Sequence, residues 1–159
     1  MTRRYIAVVG GGGRVPVAQR RVAEEVGRAV AEAGAVLVCG GLGGVMEAAC
    51  RGAQAGGGIT VGILPGRDRS EANRHVDVAI PTGMGEARNA LVVRAADVLV
   101  AVDGEFGTLS EIALALRTGT PVVGIATWEL SMGGQEVDAI LRIHDPVAAV
   151  EAALALAAP

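Results

Sequence analysis

The stretch DVLVAVDGEFGTLSEIALA, residues 97–115, combines the pattern of a strand, a tight turn and a helix. Its apolar run from Val98 to Val102 has the length and β-branched content of a buried strand. Residues 103–107 interrupt that run with glycine and acidic residues, and from Leu109 the apolar side chains recur at helical spacing. The sequence therefore predicts a strand whose carboxyl end leads through a glycine-bearing turn into the N-terminus of a helix.

This predicted turn has the features of an anion site. A helix that begins beside a strand end presents free backbone N–H groups and the positive end of its dipole, which suits a phosphate or a carboxylate. One acidic side chain, Glu111, falls on the first turn of the helix. We therefore expect a bound anion here, with Glu111 within reach of it.

Outward from this unit, strands and helices alternate along the chain with short connections. That order is typical of an α/β protein with a doubly wound, mostly parallel sheet flanked by helices, and we expect a single domain over residues 1–159. The expected strands are 5–9, 35–39, 59–64, 75–80, 98–102 and 122–126; the expected helices are 17–33, from after 44 to about 55, 85–96, from 109 onward, 135–143 and 146–157; the expected loops include 67–74 and 128–134.

Composition narrows the class of protein. Apolar residues make up 51% of the chain and aromatic residues 2%, so the core must consist mainly of aliphatic side chains. A net charge of −3 lacks the excess positive charge that is typical of nucleic-acid-binding proteins. No apolar run approaches the ~20 residues of a membrane span. Cys39 and Cys50 lack the spacing of metal ligands and are interpreted as reduced, buried residues, so we expect a cytoplasmic protein without a signal peptide.

The chain contains no lysine, because all 14 of its basic residues are arginine. Schiff-base and pyridoxal phosphate chemistry need a lysine amine, and the P-loop needs its own lysine, so these are excluded. The dinucleotide fingerprint G-x-G-x-x-G also fails, since Val15 and Met46 stand where the third glycine belongs. Cys39 replaces the acidic residue at the end of the second strand. NAD is therefore disfavoured as a ligand.

Two glycine-rich stretches resemble signatures of the LONELY GUY (LOG) proteins. Residues 40–46, GGLGGVM, are similar to the GG-x-x-G-L-M turn of that family, and residues 103–111, DGEFGTLSE, are similar to its P-G-G-x-G-T-x-x-E signature. Between them, residues 86–89 stand where the family has a helix bearing R-K-x-x-M. The resemblance covers about residues 5–126. It is nearest to the short bacterial branch and to the molybdenum-cofactor carrier proteins, which share an A-R-N helix and a V-M-E turn.

The resemblance implies a Rossmann-like fold and a phosphorylated, nucleotide-like ligand. LOG enzymes cleave the N-glycosidic bond of N6-modified adenosine monophosphates, and their glutamate and arginine match Glu111 and Arg88. A carboxylate can stabilise an oxocarbenium-like state and an arginine can hold a phosphate, so no cofactor or metal is needed. The resemblance also implies a homodimer or larger homo-oligomer. It does not imply lysine decarboxylation, although many members of the family were given that label. The implied ligand-binding residues are Gly11, Gly40, Gly41, Gly43, Gly44, Met46, Gly104, Gly107 and Thr108.

Three departures from the family pattern disfavour the glycosidic hydrolysis that LOG enzymes catalyse. Asp103 and Glu105 stand where the family has proline and glycine, and each would repel a nearby phosphate by something like 1 kcal/mol or more. Asn89 replaces a lysine and so removes a positive charge. These changes disfavour hydrolysis more than they disfavour a bound ligand. The alternative function is therefore a non-catalytic carrier or binding protein for a nucleotide or a molybdopterin-type cofactor.

Several of these residues also have a purely structural interpretation. Thr108 to Glu111 fits a capping box, and Thr108 alone fits an N-cap. Arg88 could pair with Glu86 or lie in solvent, and Met46 fits the core. The apolar residues 91–93 could form a subunit contact or lie inside the monomer. A third reading is a structural domain whose glycine turns only tighten the sheet.

Overall fold

The structure is a computed structural model that describes residues 2–157, and it is built on one parallel sheet with helices on both faces. The strands are β1 (Tyr5–Gly10), β2 (Val36–Cys39), β3 (Ile59–Leu64), β4 (Val78–Pro81), β5 (Val98–Val102), β6 (Val122–Ile125), β7 (Ser131–Met132), β8 (Gln135–Glu136) and β9 (Leu141–Arg142). The helices are α1 (Val17–Glu32), α2 (Val45–Ala55), α3 (Asn89–Arg94), α4 (Phe106–Thr118) and α5 (Pro146–Leu156). Among the described residues, none of these helices has both the length and the apolar content needed to cross a membrane.

The sheet changes its winding direction between β1 and β5. Its seven strands lie in the order β4-β3-β2-β1-β5-β6-β9, and every neighbouring pair is parallel. The chain moves outward from β1 to β4 and then returns to β5, which pairs with the other side of β1. The connections that follow β1 and β5 therefore diverge and leave a crevice at the carboxyl ends of these strands. This arrangement confirms the predicted single-domain, doubly wound sheet.

Two apolar layers hold the helices against the sheet. Alternate residues of β1 face opposite sides, so that Ile6 and Val8 pack under α1, α2 and α5 while Ala7 and Val9 pack under α3 and α4. Aliphatic side chains dominate both layers, as the composition predicts. Of the apolar residues 91–93, the two valines are buried in the second layer and only Leu91 is partly exposed, at 37%. The monomer core therefore accounts for most of this apolar run.

Residues 128–143 are where the sequence prediction was wrong. The expected loop and the expected helix at 135–143 are instead the β7–β8 hairpin followed by β9. Gly133 and Gly134 have φ values of 59° and 80°, which is the geometry of a two-residue turn between antiparallel strands. Ile140 is then buried and β9 pairs with β6. Pairing with the sheet edge therefore overrides the helix-like spacing of the apolar residues.

Three other elements differ in their bounds. The helix expected from residue 109 onward, α4, begins at Phe106, so that Glu111 lies in its second turn and not in its first. The helix expected at 85–96 divides into a 3₁₀ turn, Gly85–Arg88, and α3. The strand expected from residue 75 begins only at Val78, because the preceding residues bond sideways to Thr60 in β3. Thr60 Oγ1 donates to the His75 carbonyl at 2.7 Å, and its N–H donates to the Asp77 carboxylate at 2.9 Å. The predicted loop 67–74 contains one short 3₁₀ turn, Arg69–Glu71.

Candidate functional site

A cleft of about 870 Å³ opens at the crevice between β1 and β5. Its floor comes from the carboxyl ends of β1 and β2, and its two walls are the 3₁₀ turn that leads into α3 and the first turns of α4. The cleft brings together six of the residues that the sequence predicts for the site, which are Gly40, Met46, Arg88, Gly107, Thr108 and Glu111. Residues that lie more than sixty positions apart in the chain therefore line one cavity.

The other five predicted glycines belong to the turns after β1, β2 and β5 and do not line the cleft. Gly11 and Gly43 lie where the turns after β1 and β2 contact each other. Gly41 accepts a hydrogen bond from the Asn73 N–H at 2.9 Å. Gly104 packs against Thr108 and Trp128. Together with Gly44, described below, these residues shape the turns at the edge of the cleft.

Arg88 carries a buried guanidinium that is only partly satisfied. Its side chain is 8% exposed, Nη2 donates to the Gly40 carbonyl at 3.4 Å, and Nη1 donates to Asn89 Oδ1. Nε is buried and has no hydrogen-bond partner. Gly40 makes room for this group, because a Cβ there would lie 2.7 Å from Nη2. Arg88 is therefore neither in solvent nor paired with Glu86, and one of its buried donors has no partner within the described part of the chain.

Asn89 fixes the position of Arg88, which the sequence did not indicate. Asn89 is 9% exposed, and its Nδ2 donates to Ser110 Oγ at 3.2 Å. Ser110 Oγ donates in turn to the Gly107 carbonyl at 2.6 Å. This chain of hydrogen bonds ties the start of α3 to the first turn of α4 across the cleft. The sequence showed only that Asn89 follows Arg88 where the LOG family has a lysine, and this was interpreted as the loss of a positive charge.

Glu111 faces Arg88 across the cleft and is 7% exposed. Burial raises the pKa of its carboxyl to about 7, and the nearby Arg88 charge, which lowers the pKa, offsets only part of that effect. In the described part of the chain no salt bridge joins the two side chains. The carboxyl is therefore close to half ionised at neutral pH, so it can act as an acid, a base or an adjustable charge.

The N-terminus of α4 is capped by its own acidic residue. Glu105 is the N-cap, its carboxylate accepts from the Thr108 N–H, and Thr108 Oγ1 accepts from the Glu105 N–H at 3.3 Å. The capping box thus begins one turn earlier than the Thr108–Glu111 box considered from the sequence, and Thr108 is not the N-cap. The Thr108 amide, which the resemblance assigns to a phosphate, already donates to Glu105 in this structure.

The N-terminus of α2 is different. Its N-cap is Gly44, with φ of 64°, and no side chain caps the helix. The Val45 N–H donates to the Gly11 carbonyl at 2.9 Å, which joins the turns after β1 and β2. A Cβ on Gly44 would lie 2.1 Å from that same carbonyl oxygen, so only glycine fits. This helix therefore begins at the edge of the cleft with Glu47 in its first turn but with no side chain hydrogen-bonded to its first amides.

Met46 belongs to both the core and the cleft. It is 8% exposed, belongs to the apolar layer under α1 and α2, and also lines the cleft.

Cys39 and Cys50 are fully buried with free thiols, and their Sγ atoms lie 3.5 Å apart. The interpretation of both cysteines as small buried residues is therefore confirmed.

Comparison with known proteins agrees with the predicted resemblance. Among solved structures, the molybdenum cofactor binding protein of the phototrophic bacterium Rippkaea orientalis is 33% identical, with 99% of each chain covered and a TM-score of 0.89. The molybdenum cofactor carrier protein of Chlamydomonas reinhardtii is 34% identical, with 97% of this chain and 99% of that chain covered and a TM-score of 0.82. A protein of Archaeoglobus fulgidus without an assigned role is 49% identical over 105 residues, 66% of this chain and 69% of its own.

The similarity to the two molybdenum cofactor proteins extends beyond residues 5–126, on which the sequence resemblance rests, to almost the whole chain. Residues 3–152 match the family described as SLOG cluster4. A match of that length includes both glycine turns, Arg88 and Glu111. The chain belongs to the SLOG cluster4 family.

Proposed function

We propose that this protein binds a phosphorylated small molecule with a planar ring in the cleft between β1 and β5, and holds it without cleaving it. The ligand class is a pterin or nucleotide that carries a phosphate. The Rippkaea orientalis and Chlamydomonas reinhardtii proteins are named for binding or carrying the molybdenum cofactor, which is a pterin phosphate. The observation that carries the proposal is the buried Arg88 guanidinium with its unpartnered Nε.

A phosphate fits this guanidinium on chemical grounds. Hydrogen bonds from arginine to phosphate are charge-assisted and stronger than neutral ones, and the planar fork can hold two oxygens at once. The absence of a side chain at Gly40 lets the guanidinium lie against the turn that begins at this residue. Asn89 holds the guanidinium in place before any ligand arrives. A preordered donor loses less conformational entropy on binding.

We assign the phosphate to the side of the cleft formed by residues 40–46. The first amides of α2 have no side-chain cap, whereas the N-terminus of α4 is occupied by the Glu105 carboxylate. Helix N-termini attract anions through their free N–H groups and dipole, and a carboxylate already in that position repels a second anion. Arg88 contacts Gly40 at the start of the same turn, so charge and amides act on one end of the ligand.

The acidic residues in the cleft set the pH range of binding. Glu86, Glu105 and Glu111 all line the cleft beside Arg88. The pKa of Glu111 is about 7, so this carboxyl carries less negative charge below neutral pH. We therefore expect a phosphorylated ligand to bind more weakly as the pH rises through 7. A Glu111→Gln variant should lack this part of the pH dependence.

Calorimetric titration tests the proposal with AMP, ribose 5-phosphate and neopterin monophosphate as probes. Arg88→Gln should weaken binding of all three probes by about 10- to 100-fold, which corresponds to the loss of charge-assisted hydrogen bonds. Arg88→Lys keeps the charge but not the planar fork of donors. Its affinity for the probes should lie between those of the unaltered protein and Arg88→Gln. The matched control is Arg94→Gln, which alters an exposed arginine of α3 outside the cleft. Failure of the unaltered protein to bind any of the probes would contradict the proposal.

One observation favours a second function, which is hydrolysis of the N-glycosidic bond of a nucleoside 5′-monophosphate. Glu111 is a buried carboxyl with a pKa near 7 beside an arginine, and such perturbed groups cluster at catalytic sites. Glycosidic cleavage needs a carboxylate close to the oxocarbenium-like carbon.

Incubation with AMP and an N6-substituted AMP, followed by chromatography for the free base, separates the two functions. Release of base that is lost in Glu111→Ala would establish the hydrolase and overturn the carrier proposal. Intact nucleotide recovered from a protein that binds it supports the carrier. The same preparations should be sedimented at micromolar concentration, because the family resemblance also predicts a homodimer or larger assembly.

A further inference from the structure

Two of the three aromatic residues form a pair beside the cleft, and one of them, Phe106, lines it. The chain has one phenylalanine, one tryptophan and one tyrosine in 159 residues. The phenylalanine and the tryptophan, Phe106 and Trp128, contact each other with ring centroids 5.6 Å apart and planes tilted by 35°. This distance is typical of a favourable aromatic pair. Since the core is aliphatic, the pair has no counterpart elsewhere in the described residues.

Phe106 is exposed at the first turn of α4. Its ring is 80% exposed, and it lines the cleft as the first residue of α4. Glu111 lies five residues further along the same helix, at a rise of roughly 7 to 8 Å. Phe106 is therefore placed near one end of the cleft and Glu111 deeper inside it. Gly107, next in the chain, has no side chain to cover the neighbouring space.

Trp128 contacts Phe106 and is itself tied to the start of α4. The indole is half-buried, and its Nε1 donates to the Glu105 carbonyl at 3.1 Å. Gly104 allows this approach, because a Cβ there would lie 3.1 Å from Nε1. The indole is thus fixed to the turn that precedes α4, and it packs against the second apolar layer. The indole therefore offers the Phe106 ring a fixed neighbour.

We propose that Phe106, supported by Trp128, is a stacking platform for the planar ring of the ligand. This inference rests on the proposed function and adds to it a second subsite: Arg88 and the turn at 40–46 bind the phosphate, and Phe106 binds the heterocycle. Aromatic side chains bind flat heterocycles through their faces with little dependence on the identity of the base. The platform therefore selects for a fused ring system, pterin or purine, over a sugar phosphate.

The test compares ligands that differ only in the ring. AMP and ribose 5-phosphate share the phosphate and the ribose, so their affinity ratio isolates the contribution of the base. Phe106→Ala should lower the affinity for AMP and for neopterin monophosphate by about fivefold to a hundredfold, and leave ribose 5-phosphate within about twofold. Phe106→Tyr, which keeps the ring, should retain the affinity of the unaltered protein. Met132→Ala is the matched control, because Met132 is 78% exposed on the β7–β8 hairpin outside the cleft.

Fluorescence gives a second readout because Trp128 is the only tryptophan. Neopterin monophosphate should quench the Trp128 emission of the unaltered protein, whereas ribose 5-phosphate should not. Quenching at saturating ligand should weaken in Phe106→Ala, since the ring is then no longer held beside the indole.

Three results would overturn the platform. The first is equal loss of affinity for AMP and ribose 5-phosphate in Phe106→Ala, and the second is no loss for either. The third is an unchanged AMP to ribose 5-phosphate ratio together with a change from dimer to monomer on sedimentation, which would make Phe106 a subunit contact. Failure of the proposed function itself looks different, because the unaltered protein would then bind neither ribose 5-phosphate nor AMP.

Discussion

Two glycine turns at the same edge of the sheet lead into helices, and they differ in charge. The turn after β2 ends in Gly44, and no side chain caps α2. The turn after β5 ends in Glu105, whose carboxylate accepts from the first turn of α4. In both cases a strand leads into a helix whose N-terminus lies at the cleft. At α4, however, that N-terminus is already occupied by the Glu105 carboxylate.

The difference shows that a glycine motif alone does not define an anion site. The backbone geometry supplies N–H donors in both turns, yet a neighbouring side chain decides whether those donors are free. Glu105 satisfies the Thr108 N–H in the absence of ligand, so a phosphate at α4 would have to displace a carboxylate. In the turn after β2 the Val45 N–H donates to the Gly11 carbonyl, but no side chain caps the helix, and the buried Arg88 lies next to this turn.

The largest expected effect contrasts one glycine from each turn. Gly44→Ala should lower the free energy of unfolding by roughly 3 kcal/mol or more, because alanine is strained at φ of 64° and its Cβ would meet the Gly11 carbonyl. Gly107→Ala should be neutral or raise it by up to about 1 kcal/mol, since a Cβ there meets nothing within 4 Å and alanine favours helix. Urea unfolding without ligand measures both. Similar losses in the two variants would show that the turns are not different in this way.

The next effect concerns Glu111, on the α4 side of the cleft. Its pKa is raised from a usual value of 4.5 to about 7, so between these pH values the folded protein keeps a proton that the unfolded chain has lost. The stability contributed by the protonated carboxyl is therefore lost as the pH rises from 4.5 to 7, by something on the order of 2 to 3 kcal/mol. Glu111→Gln should be free of this loss.

Urea unfolding of both proteins at several pH values between 4.5 and 8 checks this expectation. The stability of Glu111→Gln relative to the unaltered protein should increase up to about pH 7 and then level off. The other carboxyl groups titrate in both proteins, so their contribution cancels in the difference. A difference that does not change with pH would mean that Glu111 ionises at its ordinary pKa.

The smallest expected effect tests the self-capped helix directly. Glu105→Gln keeps a side-chain acceptor at the N-cap but removes the charge, so AMP should bind about two- to fivefold more tightly as one repulsive carboxylate is lost. Stability should fall by only about 0.5 to 1 kcal/mol. The control is Glu32→Gln at the end of α1, because Glu32 is exposed and does not line the cleft. Weaker AMP binding in Glu105→Gln would contradict a competing role for this carboxylate.

Much of the fold could be predicted from the sequence, because it rests on local patterns. Apolar runs such as Val98 to Val102 and glycine or proline breaks mark the buried strands closely, and the order of strands and helices is that of a doubly wound sheet. The edge at 128–143 could not be predicted in this way. The short strand β9 is stabilised by pairing with β6 and by the burial of Ile140, and neither leaves a periodic pattern in the sequence.

For the site, the sequence by itself determined which chemical groups are available: two glycine turns, an arginine, a glutamate and no lysine. Only the tertiary structure decided which of their atoms are free. The burial of Arg88 with an unpartnered Nε, the raised pKa of Glu111 and the capture of the Thr108 amide by Glu105 all depend on neighbours brought together by folding. Hydrogen bonding and desolvation are properties of the surroundings of a group, and those surroundings here come from distant parts of the chain.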